Sequence, residues 1–106
     1  GQFNDAKSVW VAQLVSTLDG LNLHSKHTRE TTTKAGFVDR LLRVVAGQLN
    51  VRAPLLTACL NGLVNALNHA DVLLAKKITY GLGGVVPLMQ YIAGRKYEQL
   101  AEQCGE

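Results

Sequence analysis

The chain has 106 residues, of which 47% are hydrophobic and 18% are charged, and its formal net charge is +3. This length suits one domain with its own core, and the apolar content and low net charge exclude an intrinsically disordered segment. No apolar run approaches about 18 residues, so a membrane-spanning helix is not expected. Because the chain begins with Gly rather than Met, we expect residues 1–106 to be one domain of a longer protein.

The first predicted helix begins at Asn4 or Asp5, since either side chain can cap a helix N-terminus. Asp19-Gly20 predicts its end, followed by a polar link over residues 21–25. Apolar residues recur along this helix at steps of three and four and predict its buried face: Trp10, Val11, Leu14, Val15 and Leu18.

A second, longer helix is predicted from Lys26 or His27 to the break at residues 47–51. Its first part is rich in threonine, which is a poor helix former. Its second part carries one apolar stripe of five residues: Val38, Leu41, Leu42, Val45 and Leu49.

Three further helices follow along the chain. Pro54 suits the first turn of a helix over residues 53–67, which is apolar around most of its circumference and therefore predicted to lie at the centre of the core. Asp71 can open a fourth helix, and the glycines at 81, 83 and 84 predict a turn before a fifth. The sequence thus predicts an all-α domain, a single compact bundle of about five antiparallel helices.

Catalytic and metal-binding patterns are missing from the sequence. Gly81-Leu82-Gly83-Gly84 lacks the Lys-Ser/Thr pair of a phosphate-binding loop, and His24 and His27 lack further ligands at metal-binding spacing. Cys59 lies in an apolar run, where a thiol behaves as a small hydrophobe, and Cys104 is distant from it, so we expect a reducing compartment. No enzymatic activity, metal or cofactor is predicted.

Two groups of residues are candidates for binding a partner. Aromatic and basic side chains together are typical of protein interfaces, and they occur on the fourth and fifth helices: Lys76, Lys77, Tyr91, Arg95, Lys96 and Tyr97. Residues 21–53 hold six basic and two acidic side chains, a net charge of +4. This segment supports the alternative of RNA binding, with three arginines as candidate contacts: Arg29, Arg40 and Arg43.

Residues 37–98 resemble a known family of helical domains. The resemblance rests on a leucine-rich helix ending in Leu49-Asn50, on an apolar helix that closes at Ala66-Leu67, and on the helical turn that carries Tyr91, Gly94 and Lys96. Between these, Asp71, Ala75 and Ile78 follow an Asp-x-x-x-Ala-x-x-Ile pattern. The chain is similar to the C-terminal domain shared by the outer-coat rod subunit of COPII vesicles and the steroid receptor RNA activator protein.

The resemblance implies a compact bundle of five helices without enzymatic activity. A coat-type domain implies protein partners such as other coat subunits, and a role in coat assembly for transport from the endoplasmic reticulum to the Golgi. It also implies a cytoplasmic location at endoplasmic-reticulum exit sites. A receptor-activator-type domain implies instead an RNA-associated regulatory bundle.

Overall fold

The computed structural model describes residues 5–47 and 53–103, and every regular element in those ranges is an α helix. All-α architecture is therefore confirmed, but the described residues form six helices rather than five. They are α1 (Asp5–His24), α2 (Lys26–Lys34), α3 (Phe37–Gly47), α4 (Ala53–Asn68), α5 (Val72–Gly81) and α6 (Val85–Gln103).

Helix α1 runs through Asp19 and Gly20 to His24, so the predicted end at residue 20 was wrong. Gly20 is not one of the glycines with positive φ, and the helix passes it without a left-handed cap. The chain turns instead at Ser25, whose side chain accepts a hydrogen bond from the Thr28 backbone N–H at 3.2 Å and caps α2.

The single long helix predicted after Ser25 is broken into α2 and α3 at Gly36. Gly36 adopts a φ of +91°, which a residue with a side chain rarely adopts. Its N–H donates to the Thr33 carbonyl and its carbonyl accepts from Arg40 N–H, both at 3.0 Å. Residues 48–52, which include Leu49 and most of the predicted break, lie outside the described part of the chain.

Helix α4 is the centre of the core, as predicted from its apolar circumference. It contacts α1, α3, α5 and α6, and its side chains Leu55, Cys59 and Leu63 are almost completely buried. Burial of large aliphatic side chains stabilises the fold by about 1.5–3 kcal/mol each. The position of α4 therefore explains how six short helices form one core.

Helices α5 and α6 form a corner at the edge of this core. Asp71 caps α5 by accepting a hydrogen bond from Leu74 N–H at 2.8 Å, and Ile78 is fully buried. Gly83 and Gly84, with φ of +95° and +114°, form the predicted turn into α6. Within the described residues no single helix is long and apolar enough to span a membrane; Val72–Gly81 and Val85–Gly94 pass that test only as a pair bent by 87°.

Candidate interaction surface

The structure describes three of the six side chains predicted at the protein-binding surface. Lys76 is exposed, and Lys77 forms an ion pair with Asp39 of α3. Tyr91 is partly buried and packs against the core. The backbone of residues 95–97 belongs to α6, but the side chains of Arg95, Lys96 and Tyr97 lie outside the described part of the structure.

Large apolar side chains are exposed around the α5–α6 corner, and the sequence reasoning did not single them out as a surface. Each of six such residues keeps between 62% and 79% of its surface accessible. Together with Lys76 they make up what we name the α5–α6 surface: Val72, Leu73, Lys76, Tyr80, Val85, Val86 and Met89.

Helical spacing explains how these residues come to share a surface. Leu73, Lys76 and Tyr80 are three and four positions apart, so they follow one another along one face of α5. Met89 stands three and four positions after Val86 and Val85 in the first turns of α6. Only four residues separate Tyr80 from Val85. The turn at Gly83-Gly84 therefore connects the two helices that carry the exposed stripes.

The opposite sides of α5 and α6 pack against the core. Leu74 and Leu88 are partly buried against it, and Ile78 and Leu82 are buried within it. Helix α5 is thus apolar on two sides, and only one side is covered. The run Val72-Leu73-Leu74-Ala75 was the available signal, because four consecutive apolar positions cannot all face one core in a helix.

The charge around the α5–α6 surface is mainly basic, with the exposed Asp71 cap of α5 at its edge. Residues 72–97 include no Asp or Glu, while four basic residues occur there: Lys76, Lys77, Arg95 and Lys96. The Asp39 carboxylate neutralises Lys77. Lys76 therefore supplies the uncompensated charge among the side chains described on α5.

The predicted buried face of α1 is confirmed only in part, and the helix exposes a second group of apolar residues. Val15 is buried and Val11 packs against the core, as predicted, and Ala12 is buried beside them, whereas Trp10 is 62% and Leu14 is 45% exposed. The apolar arc of α1 is wider than the side that α4 covers, and the sequence does not say which part of the arc is covered. Trp10 and Leu14 therefore lie at the surface.

The three arginines of the RNA hypothesis lie on two helices. Arg40 and Arg43 are exposed and three positions apart on α3. Arg29 lies on α2, where its guanidinium donates to the Asn22 carbonyl oxygen at 2.8 Å and holds α2 against α1. RNA binding stays a prediction, with Arg40 and Arg43 as its accessible pair.

A cleft of about 580 Å³ lies beside Arg29, between α2, α4 and the end of α1. At its wall the buried Asn65 side chain donates from Nδ2 to Asp19 Oδ2 at 2.6 Å, which joins α4 to α1. Charges of both signs line the cleft, including Lys26 and Glu30, which pair with each other at 3.9 Å. The walls of the cleft also include apolar side chains such as Leu23, Phe37 and Leu74, and its charged residues give no concentration of one sign.

Reactive and metal-ligating groups are not assembled in the part of the chain that the structure describes. There, no group of three or more His, Cys, Asp or Glu residues could hold a metal ion. Burial of Cys59 raises the pKa of its thiol from 9.0 to about 11, which keeps it protonated and unreactive at neutral pH. Cys104 lies outside the described residues.

Comparison of the chain with protein-family models, with curated proteins and with solved structures finds no match.

Proposed function

We propose that this chain is a non-enzymatic protein-interaction module and that the α5–α6 surface is its docking face. The exposure of six large apolar side chains on two consecutive helices is the observation that carries this proposal. Exposed apolar residues scattered singly are ordinary on a protein surface, but a contiguous group bordered by polar residues is typical of an interaction site. A partner that covers them removes apolar area from water and gains free energy.

The residue types on the surface also suit protein recognition. Tyr80 offers a large apolar ring with a hydroxyl at its edge, a combination that is enriched among residues dominating binding energy. Met89 is unbranched and can adapt its shape to the side chains of a partner. Helices α5 and α6 are anchored from behind by Ile78, Leu82 and Leu88, so the surface can be changed without emptying the core.

A more specific form of the proposal takes the partner from the family resemblance. A coat-type domain would bind other COPII coat subunits in the cytoplasm, at endoplasmic-reticulum exit sites, and so contribute to coat assembly. This form is supported by the similarity over residues 37–98, of which the turn with Tyr91 and Gly94 lies on α6 next to the exposed stripe. The general proposal does not depend on it.

The test is binding of purified coat subunits to the wild-type chain and to a Leu73→Glu, Val86→Glu double variant. Both residues are more than two-thirds exposed, so the variant should keep its helical circular dichroism and lose at least tenfold in affinity. A Val9→Glu, Leu21→Glu variant adds the same two charges at exposed apolar positions of α1 and should bind as the wild type does. Equal affinity of all three chains would contradict the assignment of the docking face, and failure of every coat subunit to bind would remove the coat-type form.

A further inference from the structure

We infer that the partner element that docks on the α5–α6 surface is an amphipathic helix whose apolar stripe is flanked by acidic side chains. This inference rests on the proposed function and adds to it the chemistry of the partner.

The helical structure of the α5–α6 surface and the spacing of its exposed side chains favour a helix as the docked element. All regular elements in residues 5–47 and 53–103 are helices, so these ranges give a partner no strand edge to extend. Leu73 and Tyr80 are seven residues apart, which is about 10 Å along α5. An amphipathic helix presents apolar side chains at the same three- and four-residue steps, and docking of such a helix against other helices is a recurrent mode of recognition.

Acidic flanks on the partner follow from the charge of the surface. Lys76 is exposed between Leu73 and Tyr80 on the same face of α5, and a docked helix must pass over it. A carboxylate facing Lys76 would gain a complementary contact, whereas a lysine there would be repelled. Residues 72–97 contain no Asp or Glu, and the carboxylate of Asp71, just before them, is engaged in capping the N-terminus of α5.

The same observations favour a protein over an anionic lipid bilayer. Lipid-surface segments rely on clusters of about four to eight basic residues, together with Trp, Phe or Leu on the apolar side. Residues 72–97 hold four basic residues, the lower limit of that range, and Lys77 is already paired with Asp39. Tyr80 is the one aromatic residue among the exposed side chains described on α5. The charge is too sparse for a membrane anchor but sufficient to choose between two partner helices.

The test uses two synthetic 18-residue peptides with the same leucine stripe, one flanked by Glu and the other by Lys, and measures their affinities for the intact chain by fluorescence anisotropy. The wild-type chain should prefer the Glu peptide by about fivefold at low salt, since an exposed opposite-charge pair favours binding modestly and a like-charge pair opposes it to a similar extent. Lys76→Glu should invert this preference. Lys26→Glu, which makes the same charge change on α2, should leave it unchanged.

Three outcomes would overturn the inference: equal affinity for the two peptides, a preference that survives Lys76→Glu, or tighter binding to phosphatidylserine-containing vesicles than to either peptide. The Leu73→Glu, Val86→Glu variant could bind coat subunits more weakly while the wild-type chain binds both peptides equally. That result would support the proposed function and contradict only the acidic flanks of the partner helix. The proposed function itself would be contradicted if neither the Leu73→Glu, Val86→Glu variant nor Lys76→Glu changed the binding of coat subunits and peptides.

Discussion

Cys59 is the described residue whose pKa is clearly shifted by the fold. It is 1% exposed on α4, and burial raises the pKa of its thiol to about 11 because the thiolate is poorly solvated there. The sequence predicted this burial from the apolar run around position 59. Burial also means that Cys59 acts as part of the core, in contact with other apolar side chains.

We predict that iodoacetamide at pH 8 alkylates Cys59 much more slowly in the folded chain than in urea, because only the thiolate reacts. The folded-state pKa lies above the unfolded-state value of 9.0, so the unfolded chain loses the thiol proton first as the pH rises. The free energy of unfolding should therefore be unaffected by this group below pH 9 and should decrease between pH 9 and 11. Mass spectrometry of a Cys104→Ser background isolates the Cys59 reaction, and equal alkylation rates in the two states would contradict its burial.

At the level of single helices, two glycines test how backbone conformation affects the free energy of unfolding. A Cβ added at Gly20 or at Gly84 would meet no atom within 4 Å, so packing is unchanged at both positions. Gly20 has ordinary helical geometry within α1, whereas Gly84 has a φ of +114° before α6.

Gly20→Ala should raise the free energy of unfolding by about 0.5–1 kcal/mol, because alanine is the better helix former. Gly84→Ala should lower it by about 1 kcal/mol or more, because the side chain is strained at positive φ. Urea unfolding followed by circular dichroism measures both changes. Effects of the same sign would contradict the backbone geometry of one of the two positions.

Helix boundaries were predictable where a start signal and an apolar stripe agreed, as for α4 with Pro54 in its first turn and for α5 after the Asp71 cap. They were not predictable where a glycine could either continue or end a helix. Gly20 continues α1, next to an Asp19 side chain that binds Asn65 of α4, and Gly36 ends α2. The two glycines differ in backbone conformation, since Gly36 has a φ of +91° and Gly20 does not have a positive φ, and glycine permits either conformation.

The candidate surface was predictable only in part for a related reason. Lys76 and Lys77 were recognised from their charge, but Leu73 and Tyr80 resemble core residues in sequence. The helical spacing of Leu74 and Ile78 predicts that they face inward, but the exposure of Leu73 depends on how much of α5 the core covers. That information resides in the tertiary arrangement, with Leu74 packed against the core and Leu73 left 79% exposed.

For the molecule as a whole, stability depends on α4 far more than on the exposed corner. Leu63 is fully buried in the helix that contacts four others, so Leu63→Ala should lower the free energy of unfolding by about 2–5 kcal/mol. Leu73→Ala removes the same atoms from an exposed position and should change it by less than about 0.5 kcal/mol. Urea midpoints of the two variants provide the measurement, and similar losses would contradict the division between core and surface.

Helix α2 is attached to the rest of the molecule in a different way. None of its residues is buried, and it is held by the Ser25 cap and by Arg29 and Thr32, which both bond to Asn22. Opening such a segment exposes little apolar area, so the amide hydrogens of α2 can exchange with solvent through local unfolding. The amide hydrogens of α4 exchange only through global unfolding. Since α2 lies between α1 and α3 in the chain and also lines the cleft, its release widens that recess and leaves the core formed.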